Sequence, residues 1–376
     1  MNINESFHAT AIGPINIALI KYWGKSSDEL ITPLNNSISL TLNTEQLRTE
    51  TTITITPITS DTTTTTTTND IITLTINNKE TPITSRIRNV ISIFKSLAQA
   101  QNIIHYPYYT FNITSTNTFP TASGCASSAS SMSALVTCLN NAFQLNLSLN
   151  ELSAIARRGS GSACRSIHGG IVEWLKEGDD NSHAVQLYDK DYWDIGVMLI
   201  IVNTAQKEIS SSKGMQLTKE TSKLFQYRIN TIVDEHINEI KDAFKHKNFH
   251  KLATVTMKDC NNFHAVCRDT YPSICYLNEH SEFIIKAVNY LNSLQKDNQC
   301  ICAYTFDAGA NAFIIFENKN IDIINNYFDK VLFDEYNNDK CVDEYKDIIL
   351  KRKGLNDFQK KVFFTLGNGA HIVSTN

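Results

Sequence analysis

Apolar and polar residues alternate with a period of two in several short segments of this chain. Residues 38–42 and 52–56 place apolar side chains between serines or threonines, and residues 71–76 repeat the pattern. This alternation predicts half-buried β-strands, because successive side chains of a strand point to opposite faces of a sheet. Apolar stretches predict further strands at 108–115, 171–175, 195–202, 300–306, 312–316 and 361–365.

Helical spacing of apolar residues alternates with these strands. It predicts helices over 86–100, 124–143, 150–157 with Asn150 as the N-cap, 216–246, 248–260 and 279–295. Strands and helices mixed in this irregular order predict an α+β protein. The 376 residues are enough for two domains, and we place their boundary near residue 190.

Charge and cysteine content exclude several classes of protein. With 34 Lys+Arg against 38 Asp+Glu, the formal net charge is −4, which argues against a general nucleic-acid binder. The longest apolar runs are far shorter than the ~20 residues of a membrane helix, and we expect no secretory signal. The nine cysteines lack paired spacing, so we expect reduced thiols and a cytoplasmic location.

Two segments rich in glycine, serine and alanine are candidate anion sites. Residues 119–131 turn at Pro120 and Gly124 and lead into a helix of small residues, whose first N–H groups can bind phosphate. Close packing of that helix against a neighbour is the alternative interpretation. In residues 157–166 arginines bracket a Gly-Ser repeat. That combination suits an oxyanion, although such repeats also form linkers.

Two further segments combine charged side chains with small residues. Lys21-Tyr22-Trp23-Gly24-Lys25 surrounds a glycine with two ammonium groups and a hydroxyl. The alternative is a strand with a buried tryptophan and two exposed lysines. Asp307 ends an apolar strand and faces a loop of small residues. A carboxylate there can orient a hydroxyl or accept its proton, or it can be an ordinary turn aspartate.

Together and in this order, these segments resemble one family, the diphosphomevalonate decarboxylases of the GHMP kinase superfamily. The resemblance spans residues 8–320 and is carried by residues 16–25, 33–39, 119–128, 157–170, 257–265 and 304–312. The pair of KYWGK and GSGSACRS is specific within the superfamily. The phosphate loop departs from the family, since it contains Ser123-Gly124-Cys125 where Ala-Gly-Leu is common. The threonine run at 62–68 resembles an insertion.

The resemblance implies a two-domain GHMP-kinase-like α+β fold. Its ribosomal-protein-S5-like N-terminal domain, residues 1–190, would bind ATP, and its ferredoxin-like C-terminal domain, residues 191–376, would supply the catalytic aspartate. The implied reaction converts (R)-5-diphosphomevalonate and ATP to isopentenyl diphosphate, CO2, ADP and phosphate in the mevalonate pathway, through phosphorylation of the 3-hydroxyl. The implied cofactors are ATP and Mg²⁺, whose protein ligands we leave unassigned. A cytoplasmic homodimer that binds neither nucleic acid nor membrane is also implied.

The resemblance also implies three groups of site residues. Asp307 lies against the 3-hydroxyl, Arg165 against the substrate carboxylate, and Lys25 and Ser211 complete the catalytic group, with Ser211 in a loop at 205–215. The substrate-binding group comprises Tyr22, Trp23, Gly24, Lys25, Arg86, Ser160, Gly161, Ser162, Ala163, Cys164, Arg165 and Ser212. The nucleotide phosphates would contact Pro120, Ser123, Gly124, Ala126, Ser127 and Ser128. Asn16 and Lys21 are supporting positions.

Three other functions stay open at this point. A related kinase would phosphorylate its substrate without decarboxylation, although it needs no arginine for a carboxylate. A binding protein could retain the fold without turnover, and intact Asp307, Lys25 and Arg165 count against it. An RNA-binding role for the N-terminal half conflicts with the net charge of −4.

Overall fold

The computed structural model describes residues 6–58, 69–118, 127–177, 182–202, 208–333, 345, 348, 352, 355, 358 and 360–375. The threonine run at 62–68 and the predicted phosphate-loop residues Pro120, Ser123, Gly124 and Ala126 lie outside these residues.

The first half of the chain contains most of the strands. They are β1 Phe7–Pro14, β2 Asn16–Ile20, β3 Lys25–Ser27, β4 Thr32–Pro33, β5 Ser37–Thr41, β6 Arg48–Pro57, β7 Ile71–Ile76, β8 Lys79–Glu80, β9 Tyr109–Asn117, β10 Ile171–Trp174 and β11 Ala184–Tyr188. The helices are α1 Ser85–Ala100, α2 Ser127–Ala142, α3 Leu149–Gly159 and α4 Ala163–Ser166.

The second half is mostly helical. Its helices are α5 Ser211–Thr221, α6 Lys223–Tyr227, α7 Val233–Lys245, α8 Phe249–Asp269, α9 Glu279–Ser293 and α10 Ile321–Phe328. π-helical turns follow α6 at Arg228–Ile232 and α10 at Asp329–Phe333, and 3-10 turns occupy Lys296–Asn298 and Asn318–Asn320. Its strands are β12 Ile195–Ile201, β13 Cys302–Phe306, β14 Ala312–Glu317, β15 Lys360–Thr365 and β16 His371–Thr375. The predicted α+β class is therefore confirmed.

The N-terminal sheet packs one face on helices. Within the described residues its strand order is β16-β1-β6-β9-β7-β8. Ile53, Ile55 and Phe111 point inward to a core shared with α1 and α2, while the threonines between them lie on the opposite, more exposed face. The period of two in the sequence thus predicts this sheet correctly. The last strand, β16, returns from the end of the chain to pair with β1 in antiparallel register.

A second sheet lies between the two halves. In the described part of the chain it has the order β11-β10-β5-β2, and β2 and β5 are buried on both faces. Ile17, Ile38 and Leu40 join one core with helices α7 and α8 and the C-terminal sheet. The half-buried prediction for 38–42 is therefore wrong. Burial of the polar Thr41 is possible because its hydroxyl donates to the carbonyl of His168 over 2.8 Å.

The C-terminal sheet carries the strand that precedes Asp307. Its described strands are antiparallel in the order β13-β14-β12-β15, and α8 packs on β13. Among the helices that the structure describes, none is long and apolar enough to cross a membrane.

Three helix predictions differ from the structure. The helix predicted over 248–260 continues to Asp269 as α8. The region 216–246 is not one helix, because Ser222 has an extended backbone and its hydroxyl accepts from the N–H of Phe225 to start α6. Helix α3 is capped by Ser148 rather than Asn150. The Ser148 hydroxyl and the Glu151 carboxylate form a reciprocal capping box.

Close contact between β1 and α2 predicts the effect of Gly13→Ala. A Cβ at position 13 would lie 2.0 Å from the carbonyl oxygen of Ser130, so the helix must shift. We expect a loss of about 1–3 kcal/mol in the free energy of unfolding, measured by denaturant titration. An unchanged midpoint would contradict this close helix–sheet packing.

Candidate active site

A cleft of about 350 Å³ lies between the two halves of the chain. Most of the predicted site residues that the structure describes line it together. They are Tyr22, Trp23, Lys25, Arg86, Ser128, Ser160, Gly161, Ser162, Arg165, Ser211, Ser212 and Asp307. The supporting positions Asn16 and Lys21 line it as well.

Three predicted substrate-binding residues do not line this cleft. Gly24 has a φ of +87°, and a Cβ there would lie 2.3 Å from the ring of Phe225, so it is a packing glycine. Ala163 and Cys164 are fully buried. Burial raises the pKa of the Cys164 thiol to about 12, and the group is therefore neutral.

Asp307 forms an ion pair at the floor of the cleft. It follows β13, and its Oδ1 lies 2.7 Å from Nζ of Lys21. The lysine side chain is 3% exposed and that of Asp307 is 31% exposed. The ammonium is thus shielded from water while the carboxylate still faces the cleft.

Arg165 is a buried cation that contacts neutral groups. Its Nη1 donates to Oγ of Ser37 over 3.0 Å, and its Nε and Nη2 donate to Oδ1 of Asn16 over 3.3 and 3.2 Å. Among the described residues it forms no ion pair with a carboxylate. Burial lowers its pKa from the ordinary value, but guanidinium remains charged at neutral pH. A buried cation with only neutral partners favours an anionic ligand.

The lysines of the KYWGK segment are both buried, so the alternative of two exposed lysines is wrong. Nζ of Lys25 lies 2.9 Å from Oδ1 of the exposed Asp28, and this hydrogen bond lowers the pKa of Asp28. Trp23 donates from Nε1 to the hydroxyl of Thr218 over 3.1 Å. The segment thereby turns its indole into the core and its charged groups toward the cleft.

The ring of Tyr22 packs against that of Trp174 at a tilt of 54°, with ring centroids 4.5 Å apart. Its hydroxyl is buried and has no hydrogen-bond partner among the described residues. Burial raises its pKa above the ordinary value, so the hydroxyl is neutral and can donate. A buried donor without a partner is costly, and a bound oxyanion would satisfy it.

One weak contact crosses the cleft. Nη2 of Arg86, in the first turn of α1, lies 3.4 Å from Oγ of Ser212. Ser211 opens helix α5, whose N-cap is Ser210, so its predicted position in a loop over 205–215 is wrong. The hydroxyls of Ser211 and Ser212 thus belong to the first turn of a helix, which carries free N–H groups.

The start of α2 lies near the Gly-Ser segment. Ser127 is the first residue of that helix, and Oγ of Ser160 lies 3.3 Å from Oγ of Ser128. Hydroxyls and helix N–H groups together form a polar wall suited to phosphate. The described residues contain no group of three or more His, Cys, Asp or Glu that could hold a metal ion.

Sequence reasoning missed a buried network beneath Lys21. Arg228 and Asp259 are fully buried and form two hydrogen bonds of 2.9 and 3.0 Å. His264, on the same helix as Asp259, is also buried, and burial lowers its pKa to about 3. Asp259 and His264 belong to the 257–265 motif, but Arg228 lies in a segment with no sequence signal because its partner is distant in the chain.

Comparison with known proteins identifies the family. Residues 13–185 match a family model described as the diphosphomevalonate decarboxylase-like N-terminal domain. Residues 197–369 match the mevalonate 5-diphosphate decarboxylase C-terminal domain. Diphosphomevalonate decarboxylase ERG19 of Gibberella zeae is 36% identical over an alignment that covers 100% of this chain and 96% of the relative. This chain belongs to the diphosphomevalonate decarboxylase family.

Solved structures of decarboxylases in this family share the fold. The mevalonate diphosphate decarboxylase from Trypanosoma brucei superposes with a TM-score of 0.83 at 30% identity, covering 98% of both chains. The MDDEF complex with MVAPP, AMPPCP and magnesium has a TM-score of 0.78 at 28% identity, covering 98% of this chain and 99% of that chain. The predicted two-domain GHMP-kinase-like fold is therefore confirmed.

The unpartnered hydroxyl of Tyr22 yields a binding prediction for this family member. Tyr22→Phe is expected to leave the Tm unchanged or slightly higher, because no described hydrogen bond is lost. The Kd for diphosphomevalonate should rise about tenfold to hundredfold, measured by calorimetry. Tyr276→Phe is the matched control, since its buried hydroxyl also lacks a described partner but lies outside the cleft lining. Equal Kd values for both variants would refute a contact between Tyr22 and substrate.

Proposed function

We propose that this chain catalyses the ATP-dependent decarboxylation of (R)-5-diphosphomevalonate in the cleft between its halves. The products are isopentenyl diphosphate, CO2, ADP and phosphate. The observation that carries this assignment is one cleft with two opposed features, the Lys21–Asp307 ion pair and the buried, unpaired Arg165. The reaction requires a protein carboxylate that faces the 3-hydroxyl of the substrate. It also requires a protein cation that faces the substrate carboxylate.

Asp307 acts on the 3-hydroxyl of the substrate. Lys21 occupies Oδ1 at 2.7 Å, which leaves the second carboxylate oxygen for the hydroxyl. A carboxylate is a weak base for an alcohol, so Asp307 orients the hydroxyl and accepts its proton late, as the oxygen bonds to phosphorus. When bound, ATP with Mg²⁺ supplies the phosphoryl group that turns this oxygen into a leaving group.

The same carboxylate then stabilises the second step. Phosphate departs with the C–O electron pair and takes up the proton that Asp307 had accepted. The carboxylate is therefore ionised again as positive charge develops at C3 beside it. The electron pair of the bond to the substrate carboxyl carbon forms the alkene as CO2 leaves. A fixed negative charge near C3 stabilises this transition state more than the ground state, which is the source of rate acceleration.

Arg165 orients the substrate carboxylate. Its Nε, Nη1 and Nη2 are fixed by Asn16 and Ser37, so the guanidinium enters the cleft in one orientation. The planar fork of donors fits a carboxylate. Holding this group beside C3 places the breaking C–C bond next to the carbon that becomes cationic.

The diphosphate and nucleotide bind the remaining donors. The proposed contacts to substrate are Lys25, Tyr22, Arg86, Ser160, Ser162 and Ser212. Ser211 lies near the reacting groups in this proposal. We propose that the ATP phosphates bind at the start of α2, where Ser128 lines the cleft. The family resemblance adds Pro120, Ser123, Gly124, Ala126 and Ser127 to this group. Mg²⁺ would take most of its ligands from phosphates and water, which fits its preference for few protein ligands.

A cytoplasmic homodimer completes the proposal. Seven described cysteines are free, and five of them are buried, which is expected in a reducing compartment. The family resemblance supports the dimer, and light scattering of the purified chain reports its mass. The division into domains at residue 190 is likewise proposed, and the family matches end and begin on either side of it, at 185 and 197.

The decisive assay follows CO2 and ADP release from diphosphomevalonate with and without ATP. The parent chain should release both in equal amounts, whereas a kinase would release ADP alone. Asp307→Asn should lower kcat about 10²- to 10⁴-fold while the fold is retained by circular dichroism. Asp234→Asn, at an exposed position on α7, is the control. Near-parent turnover by Asp307→Asn would rule out the proposed role.

Arg165→Lys tests the carboxylate contact separately. A lysine keeps the charge but cannot donate to Asn16, Ser37 and a carboxylate in one plane. We expect kcat/KM for diphosphomevalonate to fall about tenfold to hundredfold or more, while the Kd of ATP changes little. Arg158→Lys, outside the cleft lining, should behave as the parent. Parent-like kcat/KM in Arg165→Lys would eliminate the bidentate contact.

A further inference from the structure

The Lys21 peptide is held by side chains from the second half of the chain. The paired part of β2 ends at Ile20, so Lys21 lies beyond the described strand pairing. Its N–H donates to Oδ2 of Asp259 over 2.8 Å, and its carbonyl accepts from Nη2 of Arg228 over 3.1 Å. Asn35 donates to the same carbonyl over 3.0 Å.

Arg228 and Asp259 form a fixed unit behind this peptide. Both side chains are fully buried, Nη1 of Arg228 also donates to Asn262 over 2.6 Å, and Nδ1 of His236 lies 3.0 Å from Oδ1 of Asp259. Burial alone would raise the pKa of Asp259, but Arg228, His236 and the Lys21 N–H hold it at about 2. The carboxylate is therefore ionised at neutral pH.

Helix α8 connects this unit to both members of the catalytic ion pair. Asp259 holds the Lys21 N–H, and the next residue, Cys260, accepts from the N–H of Phe306 through Sγ at 3.3 Å. Phe306 immediately precedes Asp307. Consecutive residues of one helix thus fix the backbone on both sides of the Lys21–Asp307 contact.

Arg228 reaches the peptide from an unusual backbone segment. It is the first residue of the π-helical turn Arg228–Ile232 between α6 and α7. Such turns are rare and occur frequently at functional sites. The turn places a fully buried guanidinium against a backbone carbonyl of the other half of the chain.

We propose that Arg228 and Asp259 are positioning residues for the decarboxylation, which fix the Lys21 backbone and so place its ammonium on Asp307. Neither touches substrate, and the inference rests on the proposed function of this cleft. A displacement of about 1 Å in such a contact can cost about 10²-fold in rate. Loss of the network should therefore lower kcat and leave ligand binding intact.

Arg228→Lys is the test variant. The lysine ammonium keeps a cation beside Asp259. It cannot bond both carboxylate oxygens of Asp259 and the Lys21 carbonyl at once, as the guanidinium does. We expect kcat per binding site to fall about tenfold to hundredfold, with KM and Kd for diphosphomevalonate and ATP within about twofold of the parent, since no cleft-lining contact is removed. Binding sites are counted by calorimetric titration, so that unfolded protein does not enter the rate.

His236→Phe is the matched control. It removes one hydrogen bond to Asp259 and leaves both contacts to Lys21. Its Tm should fall, but its kcat per binding site should equal that of the parent. If the network were merely structural, both Arg228→Lys and His236→Phe would have a lower Tm. Neither variant would then have a lower kcat per binding site.

If Arg228→Lys does not fold, the double variant Arg228→Met/Asp259→Leu takes its place. Replacing both members of a buried ion pair by apolar residues is often neutral for stability, and the Lys21 contacts are still lost. The same fall in kcat is expected. Parent-like kcat per site in the folded test variant, or an equal loss in His236→Phe, would overturn the inference.

The outcome is separable from that of the proposed function. If Asp307→Asn turns over at the parent rate, the cleft assignment itself fails. If Asp307→Asn is inactive while Arg228→Lys retains the parent rate, only the positioning role fails.

Discussion

The buried ion pair between Arg228 and Asp259 holds the backbone of Lys21, which lines the cleft. This pair has no access to water, so its charges must be satisfied within the protein, and breaking such a pair typically costs about 3–5 kcal/mol. Each member of the pair also bonds the peptide of Lys21, Asp259 at its N–H and Arg228 at its carbonyl. Because Lys21 comes from the first half of the chain and the pair from the second, the same contacts join the halves and set the floor of the site.

The net charge of −4 does not prevent polyanion binding. A few cations concentrated in the cleft are sufficient for it. Arg165 and Lys25 are buried, and low dielectric strengthens their attraction for a ligand anion. Arg165 is oriented by neutral groups, which fix it without consuming its charge. Asp307 is an anion in the same cleft. The role that we propose for it needs its charge at C3, and Lys21 bonds only one of its carboxylate oxygens.

The period of two and the helical period predicted the class of the fold and most of its elements. They failed where tertiary contacts decide the outcome. Residues 38–42 look half-buried in the sequence, but the C-terminal half covers their second face, and hydrogen bonds such as that of Thr41 to His168 permit it. The break at Ser222 was also missed, because apolar spacing continues across it while a serine cap ends the helix.

For the site, the sequence predicted most of the residues that line the cleft but not the buried network behind them. Motifs carry glycines, lysines and arginines in short stretches, so most of them were found, although Gly24 and Cys164 proved to be packing positions. Arg228 could not be found this way. The positioning role that we propose for it depends on contacts to Lys21 and Asp259, which lie 207 and 31 positions away. No local pattern encodes a contact between distant segments.

The contacts around the cleft also differ in strength. At the floor, Lys21 is held by charged, fully buried partners at 2.8 to 3.1 Å. Across the cleft, Arg86 and Ser212 meet at 3.4 Å, a distance at which a hydrogen bond contributes little. Ligands can displace that contact at low cost, whereas the Lys21–Asp307 ion pair is held through the Lys21 backbone by the buried network. In the proposed mechanism, this difference keeps the reacting groups aligned while the weaker contact gives way to ligand.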